Sequence, residues 1–440
     1  MSSEFYSTTI GEQITLQRGF DITKKEQEKG DVPVVSSGGI SSYHNVAKVS
    51  GPGVILGRKG TLGTVFFIEE DYWPHDTTLW VKDFKGNNPS FVYYFFKNMS
   101  KQLKGMDVGA ANPALNRNHV HPLEITWPSS DVQKHISKIL SSLDNKIKSN
   151  EKINQTLEQM AQALFKSWFI DFEPVKAKIA ALEAGGSQEE STLAAMTAIS
   201  GKEADALVVF EREHPEQYAE LKATAELFPS VMQDSEMGAI PEGWALGTLS
   251  DIAIFANGKV DVSSLTPATY VSTENMLENR AGISSASSLP SVNSVPNFRR
   301  GHVLISNIRP YFKKIWLARF EGGRSADVLA FEARDSVTVE YIYNLLYQES
   351  FFDFMMLTSK GVKMPRGDKK AIMGWQCICP EKKISHAFSK AVGNYYSFIE
   401  SNHAQNKTLT QLRDTLLPKL LSGEITLPEA EQAVSEAENV

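Results

Sequence analysis

The sequence has only two cysteines in 440 residues, and this scarcity excludes a fold held together by disulfide bonds. Cys377 and Cys379 stand two apart in one predicted strand, and no second Cys/His pair follows at ligand spacing, so we expect no zinc site. No apolar run approaches the ~18 residues of a membrane span, and residues 1–10 lack the pattern of a signal peptide. These absences predict a cytoplasmic protein in a reducing compartment.

Sequence motifs of catalysis and nucleotide binding are absent as well. Residues 57–63 (GRKGTLG) do not match the nucleotide loop G-x-x-x-x-G-K-S/T, so ATP binding is not predicted. Residues 112–115 (NPAL) share only their first two residues with the Asn-Pro-Pro-aromatic tetrapeptide of amino-methyltransferases, and we interpret them as a turn. His75 and Asp76 are adjacent without a nucleophile, which favours a structural or DNA-facing role. We therefore expect neither an enzyme nor a bound cofactor.

The acidic charge is confined to two segments. The net charge is −7, but residues 173–242 hold 5 Lys+Arg against 14 Asp+Glu, and residues 423–440 hold 5 Glu and no basic residue. The remaining positions, 1–172 and 243–422, carry a net charge of +7. Because nucleic-acid affinity depends on local patches, the total charge does not exclude DNA as a partner.

The chain contains an internal repeat. Asn112-Pro113 recurs as Met364-Pro365, displaced by 252 residues, and the same displacement relates Ser149-Asn150 to Ser401-Asn402. Upstream, residues 53–60 parallel 302–309 and residues 91–96 parallel 340–345. The repeat predicts an α+β fold with two mixed α/β domains in tandem, each followed by a long helix. The expected segments are a first domain (1–130), a first helix (131–172), an acidic helical connector (173–237), a second domain (238–380), a second helix (381–425) and an acidic tail (426–440).

The two long helices carry matching heptad patterns. Because 252 is a whole number of heptads, their a and d positions coincide, and we predict that they pair as an antiparallel coiled coil. In that register Asn150 meets Asn406, Asn154 meets Asn402 and Trp168 lies opposite Phe388. Buried asparagines cost stability but select the register. The alternative is that each helix packs separately on its own domain, with Asn150 and Asn154 exposed.

A paired rod of this kind could separate the two domains. An overlap of about 32 residues spans roughly 45–50 Å. Domains at its two ends could contact one DNA duplex about one helical turn apart.

Loops at predicted strand ends carry the candidate nucleic-acid contacts. Serine hydroxyls, backbone N–H groups beside glycine, and basic side chains suit phosphates and base edges. In the first domain the candidates are Ser37, Gly38, Gly39, Arg58, Lys59, Thr61, His75, Asn116 and Arg117. In the second they are Asn307, Arg309, Tyr311, Lys313, Lys314, Lys360, Lys363, Arg366, Lys369 and Lys370. Hairpins with solvated charges remain the alternative for both sets.

The connector is rich in alanine and glutamate, and its charge disfavours contact with DNA. A helix is predicted to begin at Pro215, because proline suits the first helical turn. The segment is either a solvated spacer or a surface for an accessory subunit.

The order of several short motifs resembles the DNA specificity subunit of type I restriction–modification systems over essentially the whole chain. The motifs are SGG at 37–39, VILGRKG at 54–60, DTTL at 76–79, LFKSWF at 164–169, DFEP at 171–174, IPEGW at 240–244 and LPKLLSGEI at 417–425. The resemblance implies two target-recognition domains that read the halves of a split, asymmetric DNA site.

The resemblance also implies the partners. In that family the specificity subunit is not catalytic. Two methyltransferase subunits use S-adenosylmethionine to methylate adenine, and restriction subunits add ATP- and Mg-dependent translocation and cleavage. Apolar helix residues outside the predicted seam are expected to dock these partners: Met160, Phe165, Phe169, Leu417 and Leu421. The competing hypotheses are a coiled-coil scaffold or adaptor that does not read DNA, and a standalone enzyme.

Overall fold

A computed structural model describes residues 5–106 and 114–438 of the chain. Residues 112 and 113, which carry part of the sequence repeat, lie outside the described residues. The chain divides into two compact units, Met1–Lys152 with Ser401–Val440 (unit 1) and Ile153–Glu400 (unit 2). Among the described residues, no helix combines the length and apolar character that crossing a bilayer requires.

Unit 1 is a β-rich domain with helices after the sheets. Its described strands are Phe5–Thr9, Thr15–Arg18, Val32–Ser36, Gly39–His44, Gly53–Gly57, Val65–Ile68, Trp73–Pro74, Thr78–Asp83 and Glu124–Pro128. Its described helices are Ile10–Gln13, Pro89–Asn98, Ser100–Gly105, Arg117–Val120 and Leu427–Glu438, with the first part of Ser130–Phe169 and the last part of Lys382–Ser422.

Unit 2 has the same kind of domain and an added helical segment. Its strands are Met232–Gln233, Ile240–Pro241, Ala245–Thr248, Ala253–Phe255, Lys259–Asp261, Tyr270–Val271, Ser294–Phe298, Val303–Ser306, Ile315–Leu317, Gly322–Arg324, Val328–Ala333 and Gln376–Cys379. Its shorter helices are Glu173–Glu183, Gln188–Ser200, Ala204–Glu213, Pro215–Glu226, Leu249–Ile252, Val339–Leu346, Glu349–Leu357 and Lys369–Met373, with 3-10 turns at Val262–Ser264 and Pro310–Phe312. The rest of the two long helices completes the unit.

One four-stranded sheet in each unit has the same topology, which confirms the duplication. In unit 1 the spatial order is Thr15–Arg18, Thr78–Asp83, Gly53–Gly57, Val65–Ile68, and in unit 2 it is Ala253–Phe255, Val328–Ala333, Val303–Ser306, Ile315–Leu317. All neighbouring pairs are antiparallel. The second strand in chain order is apolar and fully buried in both copies, at Val54–Leu56 and Val303–Ile305. Burial on both faces explains why these runs do not alternate with polar residues.

Within unit 1 the two long helices run antiparallel. Asn150 Nδ2 donates to Asn406 Oδ1 and to Gln405 Oε1, both at 2.8 Å. Asp144, six residues before Asn150, accepts from Arg413, seven residues beyond Asn406, at 2.6 Å. As the first helix advances, its contacts on the second helix move backwards, which is the antiparallel direction.

Within unit 2 the remaining halves of the same helices also pair antiparallel. The rings of Trp168 and Phe388 lie 5.9 Å apart, and Phe165 packs edge-to-face on Phe388 at 5.7 Å. Ala161, Val392 and Ile399 are buried in the same core. The predicted antiparallel coiled-coil pairing is therefore present in each unit.

The ends of the predicted segments differ from expectation. The first long helix ends at Phe169, and Phe172 adopts a left-handed conformation (φ 54°) before the next helix. The acidic tail contains the helix Leu427–Glu438, which buries Ala430 and Val434 in the core of unit 1. The connector folds into four helices, one of them beginning at Pro215 as predicted, around a small core that includes Met196 and Leu207.

A polar pair in unit 1 gives a test of the register. We expect that replacing Asn150 and Asn406 together with leucine raises the free energy of unfolding by roughly 1–3 kcal/mol, because an apolar pair gains burial energy and has no polar groups to desolvate. The loss of the specifying hydrogen bond should broaden the distance distribution between spin labels at Lys148 and Lys407. Asn145→Leu, at an exposed site of the same helix, is the control. A more stable protein with one sharp distance would argue against register selection.

Glu158 in unit 2 makes stability depend on pH. Its Oε1 accepts from the Tyr343 hydroxyl at 3.3 Å, and its buried Oε2 has no hydrogen-bond partner among the described residues. Burial raises the pKa of Glu158 from 4.5 to about 7, against the opposing effects of the Arg319 cation and the Tyr343 hydrogen bond. The folded chain therefore holds this proton at pH values where the unfolded chain has released it.

The sign follows from proton linkage. Stability should fall as pH rises from about 4.5 to about 7 and then level off, with a total loss of at most about 3 kcal/mol. Glu158→Gln should remove this dependence, so its advantage over wild type in thermal unfolding grows from about pH 5 to about pH 8. Glu151→Gln, an exposed site on the same helix, should show no such growth. A constant difference for Glu158→Gln would show that the carboxyl titrates normally.

Candidate nucleic-acid interface

In unit 1, the loop after the buried strand Gly53–Gly57 is bonded along its backbone on two sides. The N–H groups of Arg58 and Lys59 donate to the carbonyl of Thr77 at 2.9 and 3.0 Å. The carbonyl of Arg58 accepts from the N–H of Leu115 at 3.0 Å, and Lys59 forms a β-bridge with Ala114. These contacts hold the loop backbone in place while the Lys59 side chain is exposed and that of Arg58 is half-buried.

Charged groups gather beside this loop. Arg18 Nη2 donates to Asp76 Oδ2 at 2.7 Å, and Arg58 Nη1 donates to the backbone carbonyl of Asp76 at 3.3 Å. Burial alone would raise the pKa of Asp76, but the Arg18 hydrogen bond and the charges of His75 and Lys59 outweigh it and lower the pKa. Burial and the Arg18 cation lower the pKa of Arg58, which nonetheless stays charged at neutral pH.

Asp21, His75 and Asp76 place three potential metal ligands within 4.8 Å of one another. Two of them already have partners, since Asp76 binds Arg18 and His75 Nδ1 lies 3.1 Å from Thr77 Oγ1. Asp21 is exposed. Contacts with Arg18 and Thr77 account for the positions of Asp76 and His75, and Asp21 is a surface carboxylate beside them.

The serine–glycine turn at residues 36–39 is hydrogen-bonded to residues next to this loop. Ser37 is only 7% exposed, its N–H donates to Thr77 Oγ1 at 3.3 Å, and its carbonyl accepts from Thr64 Oγ1 at 2.7 Å. The N–H of Gly38 donates to Ser36 Oγ at 3.3 Å, and Gly39 has φ +107°, which glycine tolerates. The backbone N–H and carbonyl of Ser37 are thus used inside the domain, and the contact of this residue with DNA stays a prediction.

The other predicted residues of unit 1 are at the surface. Asn116 and Arg117 are exposed and directly follow Leu115, whose N–H is bonded to Arg58. Asn116 Oδ1 accepts from the N–H of Asn118 at 3.0 Å and caps the helix Arg117–Val120. Thr61 is exposed, and its N–H donates to the Lys59 carbonyl at 3.1 Å.

Unit 2 repeats the same backbone scaffold. The N–H of Asn307 donates to the carbonyl of Asp327 at 2.8 Å, just before the strand Val328–Ala333, and its carbonyl accepts from the N–H of Gly367 at 3.1 Å. Leu115 and Gly367 are related by the 252-residue displacement of the sequence repeat. Both units thus bring together the loop after a buried strand and the segment before a short helix.

Several predicted contact residues of unit 2 are committed to internal contacts. Asn307 is 3% exposed and its Nδ2 donates to the Gly367 carbonyl at 3.1 Å, so its side chain lies inside the domain and its contact with DNA stays a prediction. Lys313 pairs with Glu349 at 2.5 Å, and Lys314 donates to the carbonyl of Thr273 at 2.9 Å. Arg309 is half-buried with φ 51°, and its N–H donates to the Pro365 carbonyl at 2.8 Å.

The other predicted contact residues of unit 2 are exposed, and two of them form ion pairs. Lys360 pairs with Asp368 at 2.6 Å and Arg366 with Asp327 at 3.0 Å. Lys363, Lys369 and Lys370, also predicted contacts of unit 2, are exposed and form no ion pair with the residues that the structure describes. Tyr311 is 47% exposed and packs against Phe312 with ring centroids 4.6 Å apart.

Sequence reasoning missed the acidic partners Asp327 and Asp368 and the cation Arg18. Asp327 precedes a buried strand, as Thr77 does in unit 1, and the repeat could have indicated it. Arg18 ends a strand and has no counterpart in any motif, so no signal in the sequence pointed to it.

Comparisons with known proteins agree with this scaffold. A family model described as the type I restriction modification DNA specificity domain matches residues 3–159. The specificity subunit of the type I restriction enzyme HindI from Haemophilus influenzae is 32% identical over 355 residues, covering 75% of this chain and 74% of that protein. This chain belongs to the family of type I restriction enzyme specificity subunits.

A second curated relative and one solved structure are also similar to this chain. The MjaIX subunit from Methanocaldococcus jannaschii is 25% identical over 367 residues, covering 77% of this chain and 69% of that protein. The crystal structure of the type I S subunit from M. genitalium has a TM-score of 0.51 at 15% identity, covering 94% of this chain and 96% of that one, which shows a shared fold. As a specificity subunit, the chain is the non-catalytic member of its enzyme, as predicted.

The residues predicted to dock partner subunits divide between core and surface. Phe165 and Phe169 are 0% and 3% exposed and pack on Tyr341 and Phe388 inside unit 2, and Leu417 is 5% exposed inside unit 1. The domains themselves cover these side chains, and a docking role for them stays a prediction. Among the described residues of the set, Met160 is 45% exposed and Leu421 is half-buried.

The free lysines of this specificity subunit give a test of the interface. Lys369→Gln with Lys370→Gln should weaken binding of the assembled complex to duplex DNA at every sequence and reduce the slope of log K against log salt by about 2, since two phosphate contacts are lost. Lys390→Gln, an exposed lysine paired with Glu220, is the matched control. An unchanged salt slope would place the two lysines outside the interface.

Proposed function

We propose that this subunit reads a bipartite, asymmetric DNA site, one half with residues 1–130 and the other with residues 238–380, and so directs the enzyme to its target. The observation that carries the proposal is the repeated backbone scaffold with different side chains on it. Arg58 and Lys59 occupy the bonded loop in unit 1, and Asn307 and Ile308 occupy it in unit 2. A constant frame with variable side chains is what two different half-sites require.

The proposed partners follow from the family. Two methyltransferase subunits and the restriction subunits bind this chain, and S-adenosylmethionine, ATP and Mg are bound by those partners. The exposed Met160 supports a helix surface for docking. In this proposal the paired long helices set the separation of the two half-sites. The complex acts in the cytoplasm, where it has access to the chromosome.

The experiment is methylome sequencing of cells that express the chain with its methyltransferase subunits. The expected result is adenine methylation in one gapped motif. Exchange of residues 1–130 for the same segment of another specificity subunit should change one half of that motif and leave the other half and the gap as they were.

Three outcomes contradict the proposal in different ways. A swap that changes both halves would show that the units do not read independently. Methylation without any motif would favour the scaffold or adaptor, which organises partners without reading DNA. Methyl transfer by the purified chain alone would contradict its non-catalytic role.

A further inference from the structure

An apolar side chain stands fully in solvent at the tip of a basic loop in unit 2. Val362 is 101% exposed, and Met364, two residues later, is 50% exposed. Both lie between the helices Glu349–Leu357 and Lys369–Met373. A single exposed apolar residue is ordinary on a protein surface, but here the neighbours restrict what it can contact.

The base of this loop is closed by backbone and ionic contacts. Lys360 and Arg366 exchange two backbone hydrogen bonds, both 3.0 Å long. The Arg366 side chain pairs with Asp327, and the Lys360 side chain pairs with Asp368. Gly361 has φ +98°, a conformation that favours glycine and turns the chain outward at the tip. Lys360 and Arg366, which the sequence predicts as DNA contacts, therefore hold the two ends of the loop together.

The surroundings of the tip are positively charged. Residues 357–370 contain five basic residues and one acidic residue, Asp368. With Lys360 and Arg366 held in ion pairs, the exposed Lys363, Lys369 and Lys370 flank the apolar tip. An apolar tip among free cations matches a polyanion that also offers apolar groups, and duplex DNA has both phosphates and thymine methyl groups.

We propose that Val362 and Met364 are specificity-determining residues that contact bases in the half-site read by unit 2, while Lys363, Lys369 and Lys370 contact phosphates. Val362 packs against the C5-methyl group of a thymine. The inference rests on the proposed function and goes further by dividing the loop into base-reading and phosphate-binding side chains. The first half of the chain has Ala110, Ala111 and Asn112 at the positions displaced by 252 residues, which lie outside the described residues.

The test uses the complex with its methyltransferase subunits and a duplex carrying the methylome-defined motif. Val362→Ser should lower the affinity of the complex for this duplex about tenfold. The wild-type complex should lose about the same factor when one thymine of the second half-site is replaced by deoxyuridine, which lacks the methyl group. The two changes together should cost no more than either alone. Affinity for a non-specific duplex should not change, because the charge is the same.

Val208→Ser is the matched control, since Val208 is 67% exposed on a connector helix with acidic neighbours. It should leave both affinities unchanged. Additive losses from Val362→Ser and deoxyuridine at every thymine, or no loss from Val362→Ser, would overturn the proposal. Weaker assembly with the methyltransferase subunits at unchanged DNA affinity would also overturn it, by making the tip a protein contact. If wild type itself shows no preference for a motif, the proposed function fails, which is a separate result.

Discussion

Inside unit 1, the hydrogen bond from Asn150 to Asn406 joins side chains that are 256 residues apart in the chain. Leu409, Leu416 and Leu420 fill the same core from the C-terminal helix, beside Leu140 and Leu143 from the first helix. The domain that begins the chain therefore cannot complete its core until the last long helix has folded against it. The antiparallel direction of this pairing is the constraint on which the other features depend, because it joins the two ends of the chain in one unit.

Polar groups at the helix pair connect each domain to its helices. In unit 1, Tyr94 donates to Asp144 at 2.7 Å and Arg413 donates to the same carboxylate at 2.6 Å. Burial and the Asp144 carboxylate raise the pKa of Tyr94, which keeps its hydroxyl as a donor. In unit 2 the corresponding Tyr343 reaches Glu158, which has no cation hydrogen-bonded to it among the described residues. The equivalent tyrosines thus bind a carboxylate that has a cation partner in unit 1 and one that has no hydrogen-bonded cation in unit 2, where burial raises the pKa of Glu158 to about 7.

The two interfaces show how a duplicated fold separates support from recognition. Backbone hydrogen bonds hold the strand-end loops in the same way at Thr77 and Asp327, and they do not depend on side-chain identity. Side chains are then free to differ, as Arg58 and Asn307 do. Part of the charge in each loop serves the loop itself, since Lys360 and Arg366 are tied to carboxylates. Fewer basic residues of these loops are therefore exposed and unpaired than the sequence alone suggests.

Periodicity and repetition in the sequence determined the architecture. A displacement of a whole number of heptads placed Asn150 and Asn406 at facing positions of the helix pair. An unbroken apolar run marked the buried strand around Val54–Leu56. Both elements were therefore predictable from local pattern. The tail helix was also encoded, by Thr426 and Glu429 at capping-box spacing and by apolar Leu427, Ala430 and Val434, but its acidic charge masked the signal. Tertiary structure alone decided which polar and apolar side chains remain available. Ser37, Asn307, Phe165 and Phe169 have the chemistry of contact residues and are buried, because burial depends on neighbours distant in sequence, which no local pattern specifies.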